Sequence, residues 1–219
     1  MAEYRDVVIP SEKIDARKGR KLGNGVYQDG ENVFSKFMGI PRIDENEISV
    51  IPLSGVYLPN LGDRVIGIIS GVEISGWMVD INSPYVAFLP VAEAVEEFID
   101  MARTDISRYF DANDVVFCRI SKVTKNKTVQ VSLRDTLARK LYGGVIIKVT
   151  PSKIPRIIGK AGSMISLIKT RTKCDIYTGQ NGLIWIRGEN KAKAIEVILT
   201  IEKESHTIGL TERIESMLM

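Results

Sequence analysis

The tetrapeptide Gly159-Lys160-Ala161-Gly162 carries the strongest chemical signal in the chain, with Ile157-Ile158 before it and Ser163-Met164-Ile165 after it. Two glycines let main chain approach a phosphate with no Cβ in the way. A helix opening at Ser163 would point its first backbone N–H groups at an anion, and Lys160 adds a cation at the loop tip. The plain alternative is a connection between two helices with glycine caps. A nucleotide loop fits poorly, since the stretch lacks G-x-x-x-x-G-K-[ST] and no G-x-G-x-x-G follows a strand in a βαβ unit.

Other residue types that could do chemistry are sparse. There are two cysteines, Cys118 and Cys174, and one histidine, His206. Neither cysteine belongs to a C-x-x-C pair, both sit in apolar strand-like runs, and a structural zinc site needs four such ligands. Buried free thiols are expected, and no metal or cofactor. Ser-His-Asp or Cys-His catalysis would have to run through His206, which lies in a helical tail without a supporting motif. An acidic stretch over Val91–Ala102 carries Glu93, Glu96, Glu97 and Asp100. Paired carboxylates can serve acid–base or metal chemistry. Here they alternate with Val95, Phe98 and Ile99 as one side of an amphipathic helix, which reads as a solvated face or a protein contact. No catalytic residue is expected.

Net charge is only +3, but it is unevenly spread. From Val145 to Gly188 eight basic residues face one acid, and from Val91 to Asp114 seven acids face two arginines. The first segment suits a polyanion and the second does not. No apolar run reaches the roughly 18 residues a bilayer span requires. The opening Met1-Ala2-Glu3-Tyr4-Arg5-Asp6 lacks the basic and apolar regions of a signal peptide, so a cytoplasmic location is expected.

The elements that must position the loop form three segments: 1–58, 59–140 and 141–219. The first shows strand-like pieces at Val7-Val8-Ile9, Val33–Phe37 and Ile48–Ile51, separated by turn signals, and predicts a small all-β domain. About fifty residues make a marginal core alone, so this domain should dock on something. The second offers strands at Arg64–Ser70, Gly76–Asn82, Tyr85–Leu89, Val115–Val123 and Thr128–Leu133, with a helix between the third and fourth. That is the order of a five-stranded OB-type barrel. The third reads strand Val145–Thr150, helix Ser152–Ile158, glycine loop, helix Ser163–Thr172, strand Cys174–Thr178, a turn at Gln180-Asn181-Gly182, strand Leu183–Arg187 and helix Asn190–Glu204, with Asn190 as N-cap. A G-x-x-G loop in that α+β context resembles the KH domain, whose loop clamps a nucleic-acid backbone.

The second segment is similar to the OB-type domain repeated in the largest small-subunit ribosomal protein. The likeness rests on Gly62-Asp63-Arg64-Val65, Ser75-Gly76-Trp77-Met78-Val79 and Val129–Arg134. It departs where that family stacks bases: Ser75 and Met78 hold the aromatic positions, and Pro90 the histidine position. Trp77 is shifted by one residue and so points to the opposite strand face, which leaves a core or interface role open beside stacking. Arg119, Lys122, Lys125 and Lys127 could hold phosphates or simply be solvated.

A short β domain, then this barrel, then one KH domain resembles the RNA-binding cap subunits of the archaeal exosome. The likeness includes Val8-Ile9-Pro10 and Gly55-Val56-Tyr57-Leu58-Pro59. The resemblance implies single-stranded RNA as ligand. It also implies a ring of RNase PH-like phosphorolytic subunits as partner, three copies per complex, and no catalysis by the chain itself. A stand-alone RNA-binding factor in translation or transcription is the alternative. The residues expected to touch RNA are Gly159, Lys160, Ala161, Gly162, Lys153, Arg156, Arg171 and Lys173 in the KH segment, and Arg119, Lys122 and Lys125 on the barrel.

Overall fold

Short strands punctuated by glycine build the first of two units, residues 1–55, and the second takes in residues 56–219. A computed structural model describes residues 7–16, 19–95, 105–204 and 209–218.

In the first unit, β1 (Lys13–Ala16), β4 (Asn32–Ser35) and β3 (Val26–Asp29) form one antiparallel sheet in that spatial order. A second sheet sets β6 (Glu47–Pro52) between β2 (Lys21–Leu22), parallel to it, and β5 (Gly39–Ile43), antiparallel to it. Val8, Val26, Val33, Ile48 and Val50 make a small buried core. Val7-Val8-Ile9, expected as a strand, contributes a single bridge from Val8 to Gly39. Pro10 has no N–H to continue a ladder, and Ser11 turns the chain away at φ 67°.

The second unit opens with the barrel. β7 (Arg64–Glu73), β8 (Gly76–Asp80) and β9 (Ala87–Pro90) form a meander, β9 runs parallel to β11 (Val129–Ser132), and β11 pairs with β10 (Val115–Val123), which returns to β7. The five strands therefore close, which leaves no free edge in the barrel. Alternation fills its interior: Val65, Val79, Leu89, Val116, Cys118, Ile120 and Val131 are buried. Gly67 belongs to that fit, since a Cβ there would meet Val79 Cγ1 at 2.3 Å. A sixth strand, β12 (Arg139–Leu141), pairs with Val115–Phe117 of β10, short of the residues that β11 takes from Arg119 onward.

The helix expected after the third strand is one turn, α1 (Val91–Ala94), and Val95 is already extended. The rest of that expected helix, with Glu96, Glu97 and Asp100, lies outside the described residues, as does His206. A 3₁₀ turn at Ile106–Arg108 precedes β10.

The remainder is α+β. β13 (Val145–Lys148) leads through a 3₁₀ turn into α2 (Ile154–Ile158), the glycine loop and α3 (Ser163–Thr172). β14 (Cys174–Thr178), β15 (Leu183–Gly188), α4 (Lys191–Lys203) and α5 (Leu210–Met217) follow. The antiparallel sheet has order β13-β15-β14. One face packs Ile176, Ile184 and Ile186 against helix residues Ile157, Ile168, Val197, Ile198 and Ile201. Asn190 stands at the N-cap of α4, but its side chain makes no cap bond. Its φ of −93° and ψ of 34° depart from the extended geometry that capping requires.

The β14–β15 turn is inserted into the barrel. β8 pairs with β7 only from Ile68 onward, which leaves main-chain groups of Arg64 and Ile66 to be satisfied elsewhere. The Gln180 and Arg64 residues exchange two bonds: the Gln180 N–H donates to the Arg64 carbonyl at 2.9 Å, and the Arg64 N–H to Gln180 Oε1 at 2.8 Å. Asn181, fully buried, donates from Nδ2 to the carbonyls of Ile66 (2.7 Å) and Ile81 (2.8 Å), and its Oδ1 accepts the Ile66 N–H at 3.3 Å. Asn82 Nδ2 donates to the Asn181 carbonyl at 2.8 Å. Ile66, Phe117, Leu141, Leu183 and Trp185 pack beside these bonds as a separate apolar cluster.

Candidate nucleic-acid interface

The glycine loop has the local geometry that anion binding requires. α2 ends at Ile158, and Gly159 adopts φ 76°, where a Cβ would fall 2.7 Å from Met164 Cβ. Only glycine fits that position. Gly162, at φ 79°, has open space around it and is needed for its left-handed backbone instead. Ala161 is also left-handed, at φ 51°, which throws the tip outward. Lys160, Ala161 and Ser163 are exposed, and the N-cap of α3 makes no side-chain hydrogen bond. The Ser163 N–H donates to the Lys160 carbonyl, and the next N–H groups of the first turn of this ten-residue helix lie beside a lysine.

The other sequence-derived residues fall into separate groups. Arg156 is exposed on α2 and Lys153 is half-buried in the turn before it. Arg171 and Lys173 sit at the far end of α3, about 15 Å along the axis from the loop by helix rise, with Lys173 in the left-handed C-cap position at φ 53°. Arg119 and Lys122 are exposed on the outer side of β10, and Lys125 lies in the turn that follows. Lys127, in the same turn, reaches over the Tyr85 ring at 5.9 Å. Trp77 is fully buried: its Nε1 donates to the Phe110 carbonyl at 2.8 Å, and the two rings meet edge to face at 5.1 Å. It is a core residue and offers no stacking surface.

Arg119 and Arg64 share one carboxylate. Arg64 Nη2 lies 3.1 Å and 3.2 Å from the two oxygens of Asp135, and Arg119 Nη1 lies 3.7 Å from Oδ2. The Leu137 N–H, and then the two guanidiniums, hold the Asp135 carboxyl below the usual carboxylate range. These arginines flank a groove of about 640 Å³ between the barrel and the KH sheet, whose floor carries Phe117 and Tyr177. Phe117 and Arg119 share a face of β10 through their spacing of two, but no sequence signal joins Tyr177 to them, because that meeting is made by the inserted turn.

Both thiols are buried, and burial pushes the Cys118 thiol up to about 12. Tyr57 is raised above its ordinary range by burial and by donating to Asp63 Oδ2 at 2.6 Å. Tyr57 and Cys118 both belong to the buried core of the barrel. Among the described residues no helix is long and apolar enough to cross a membrane.

Comparison with known proteins agrees with this architecture. Residues 144–192 match the family model of the KH domain. The chain is 42% identical over 222 residues to exosome complex component Rrp4 of Pyrococcus horikoshii, covering 99% of this chain and 83% of that protein. It is 39% identical over 218 residues to the protein of the same name from Picrophilus torridus, covering 99% and 93%. A crystal structure assigned as an exosome complex RNA-binding protein superposes with a TM-score of 0.69 at 32% identity, covering 75% of this chain and 95% of that one.

Proposed function

Because the chain belongs to the family of the archaeal exosome complex component Rrp4, we propose that it is the non-catalytic RNA-binding cap of such an exosome. Three copies sit on a ring of RNase PH-like phosphorolytic subunits in the cytoplasm, gather RNA 3′ ends and feed them inward for 3′-to-5′ degradation. The chain works as three domains, 1–58, 59–140 and 141–219.

The observation that carries the reading is the exposed Lys160-Ala161 tip, held between two left-handed glycines at the uncapped start of α3. A phosphate there meets N–H donors and a cation, with no side chain in the way. Lys153 and Arg156 stand on the elements that lead into the loop, and Arg171 and Lys173 form a separate basic group at the far end of α3. Arg119, Lys122 and Lys125 offer a second, barrel-borne set. Neither buried thiol is poised as a nucleophile, which favours a binding role over a catalytic one. The first unit exposes Ile9, Phe37, Met38, Ile43 and Ile51 over a core of few residues, which favours a protein contact there.

The purified chain, incubated with labelled RNA, phosphate and Mg²⁺, should bind the RNA without shortening it. Mixed with ring subunits, it should co-elute with them. A chain lacking residues 1–55 should lose the ring and keep RNA. RNA shortening by the isolated chain would refute the non-catalytic role, and failure to co-elute would return the chain to a stand-alone RNA-binding factor.

A further inference from the structure

The groove between barrel and KH sheet has walls from two domains and is held open by the inserted turn. On the barrel side stand Arg64 and Arg119, with side chains 44% and 54% exposed. Their common partner Asp135 is almost covered and offers one negative charge to two guanidiniums. Arg64 takes the close, two-oxygen contact, whereas Arg119 remains at 3.7 Å, beyond hydrogen-bond reach. Two cations lie over the half-buried Tyr177 ring, each 5.8 Å from its centroid: the Lys169 ammonium of α3 and the Arg139 guanidinium of β12. Phe117 closes the floor, tilted at 57° with centroids 5.1 Å apart. The acid that lines the groove, Asp175, is turned to Arg187 at 2.9 Å.

We infer that this groove holds one nucleotide of single-stranded RNA, its base on the Tyr177 ring and its phosphate between the Arg119 guanidinium and the Lys169 ammonium. The inference rests on the RNA-binding reading above and adds a contact away from the glycine loop. The volume suits a nucleotide. Lys169 hangs on a flexible stem, so its charge swings from ring to phosphate without backbone movement. Arg119, its fork not spent on Asp135, presents planar donors to a phosphate. An aromatic ring flanked by cations is the pattern that takes up bases regardless of sequence. An acidic peptide would use the arginines but leave the rings idle. The bonds from Gln180 and Asn181 fix the two walls, so the site is present before the ligand arrives.

The test uses the full chain and a fluorescein-labelled ten-nucleotide oligouridylate followed by anisotropy. Tyr177→Leu should weaken binding roughly tenfold, the loss of one stacked base, while Tyr177→Phe should bind as the unaltered chain does. Arg119→Gln should reduce the slope of log affinity against log salt by about 0.7, the release from one single-strand phosphate. Because Tyr177 also touches Phe117 and Trp185, a fall in melting temperature for its leucine variant would leave Arg119→Gln to decide alone. Unchanged affinity and slope in Arg119→Gln and Tyr177→Leu overturn the inference. With labelled poly-glutamate as the acidic-peptide probe in the same assay, an Arg119→Gln chain that loses the peptide while binding RNA unchanged overturns it too. In both cases, a Lys160→Asp, Ala161→Asp chain that still loses RNA leaves the loop reading standing. An unaltered chain that fails to bind the oligonucleotide overturns both.

Discussion

Two tetrapeptides of one pattern, Gly159-Lys160-Ala161-Gly162 and Gly179-Gln180-Asn181-Gly182, stand twenty residues apart and meet opposite fates. Each ends on a left-handed glycine, Gly162 at φ 79° and Gly182 at φ 82°. Around the first nothing lies within 4 Å of a notional Cβ, whereas around the second the Val149 carbonyl would be 2.4 Å away. The middle residues of the first are in solvent, and Asn181 in the second is fully buried. Glycine spacing thus marks a turn and no more. A lysine and an alanine between two helices leave backbone donors for an outside anion. In the hairpin turn, exposed Gln180 and buried Asn181 both bond to the barrel's main chain.

The contrast breaks most sharply at Asn181. Asn181→Ala strands the Ile66 and Ile81 carbonyls and should cost about 3 kcal/mol of the second unit's stability, measured by denaturant unfolding. A loss under about 0.5 kcal/mol, the scale of an ordinary surface site, would erase the distinction. The closing glycines give a matched pair at equal φ. Gly162→Ala should cost about 1 kcal/mol for left-handed backbone alone, and Gly182→Ala at least twice that because the Val149 carbonyl must also move. Equal losses would mean that burial of the second turn is unimportant.

Smaller effects sharpen the same comparison. Lys160→Asp with Ala161→Asp should shift stability by about 0.5 kcal/mol or less while RNA affinity falls by more than that, read from melting and anisotropy on one preparation. The smallest effect is a pH dependence confined to the inserted turn's side of the molecule. The folded Asp135 carboxyl is depressed, so its contribution is present above its unfolded value of about 4 and is lost as pH falls through the lower folded value. Asp135→Asn should therefore flatten the acid limb of the stability curve below about pH 4, and an unchanged limb would count against the hold of the Leu137 N–H and the two guanidiniums on that carboxylate.

What could be read from residue order was whatever local chemistry decides. α3 and β14 occupy their expected spans because a glycine pair opens one and the other is bounded by that helix and by the turn signal Gln180-Asn181-Gly182. The parity of Trp77 opened the possibility of an inward position, and it is buried. The first unit was harder: β2 has two exposed residues and β1, β3 and β5 are four or five long, too short for a period to emerge. β12 escaped for the same reason, with only Leu141 buried. The groove was not legible at all. Tyr177 and Arg119 belong to different domains, and the sequence marks Gln180-Asn181-Gly182 as a turn without saying where it goes.

The buried turn also bears on how long the molecule lasts. Asn-Gly is the dipeptide most prone to lose ammonia, because the next amide nitrogen attacks the side-chain carbonyl carbon through a five-membered ring, and thermolabile asparagines are thinned out in hot-adapted proteins. In Asn181-Gly182 the attacking N–H is occupied by the Gly179 carbonyl at 3.1 Å, and the amide is pinned from both ends. The bonds that seat the KH domain therefore also slow its chemical ageing. Were the conversion to occur, a carboxylate would face the Ile66 and Ile81 carbonyls, acceptor against acceptor. The product could not return to its seat, so the joint between the two domains would fail irreversibly.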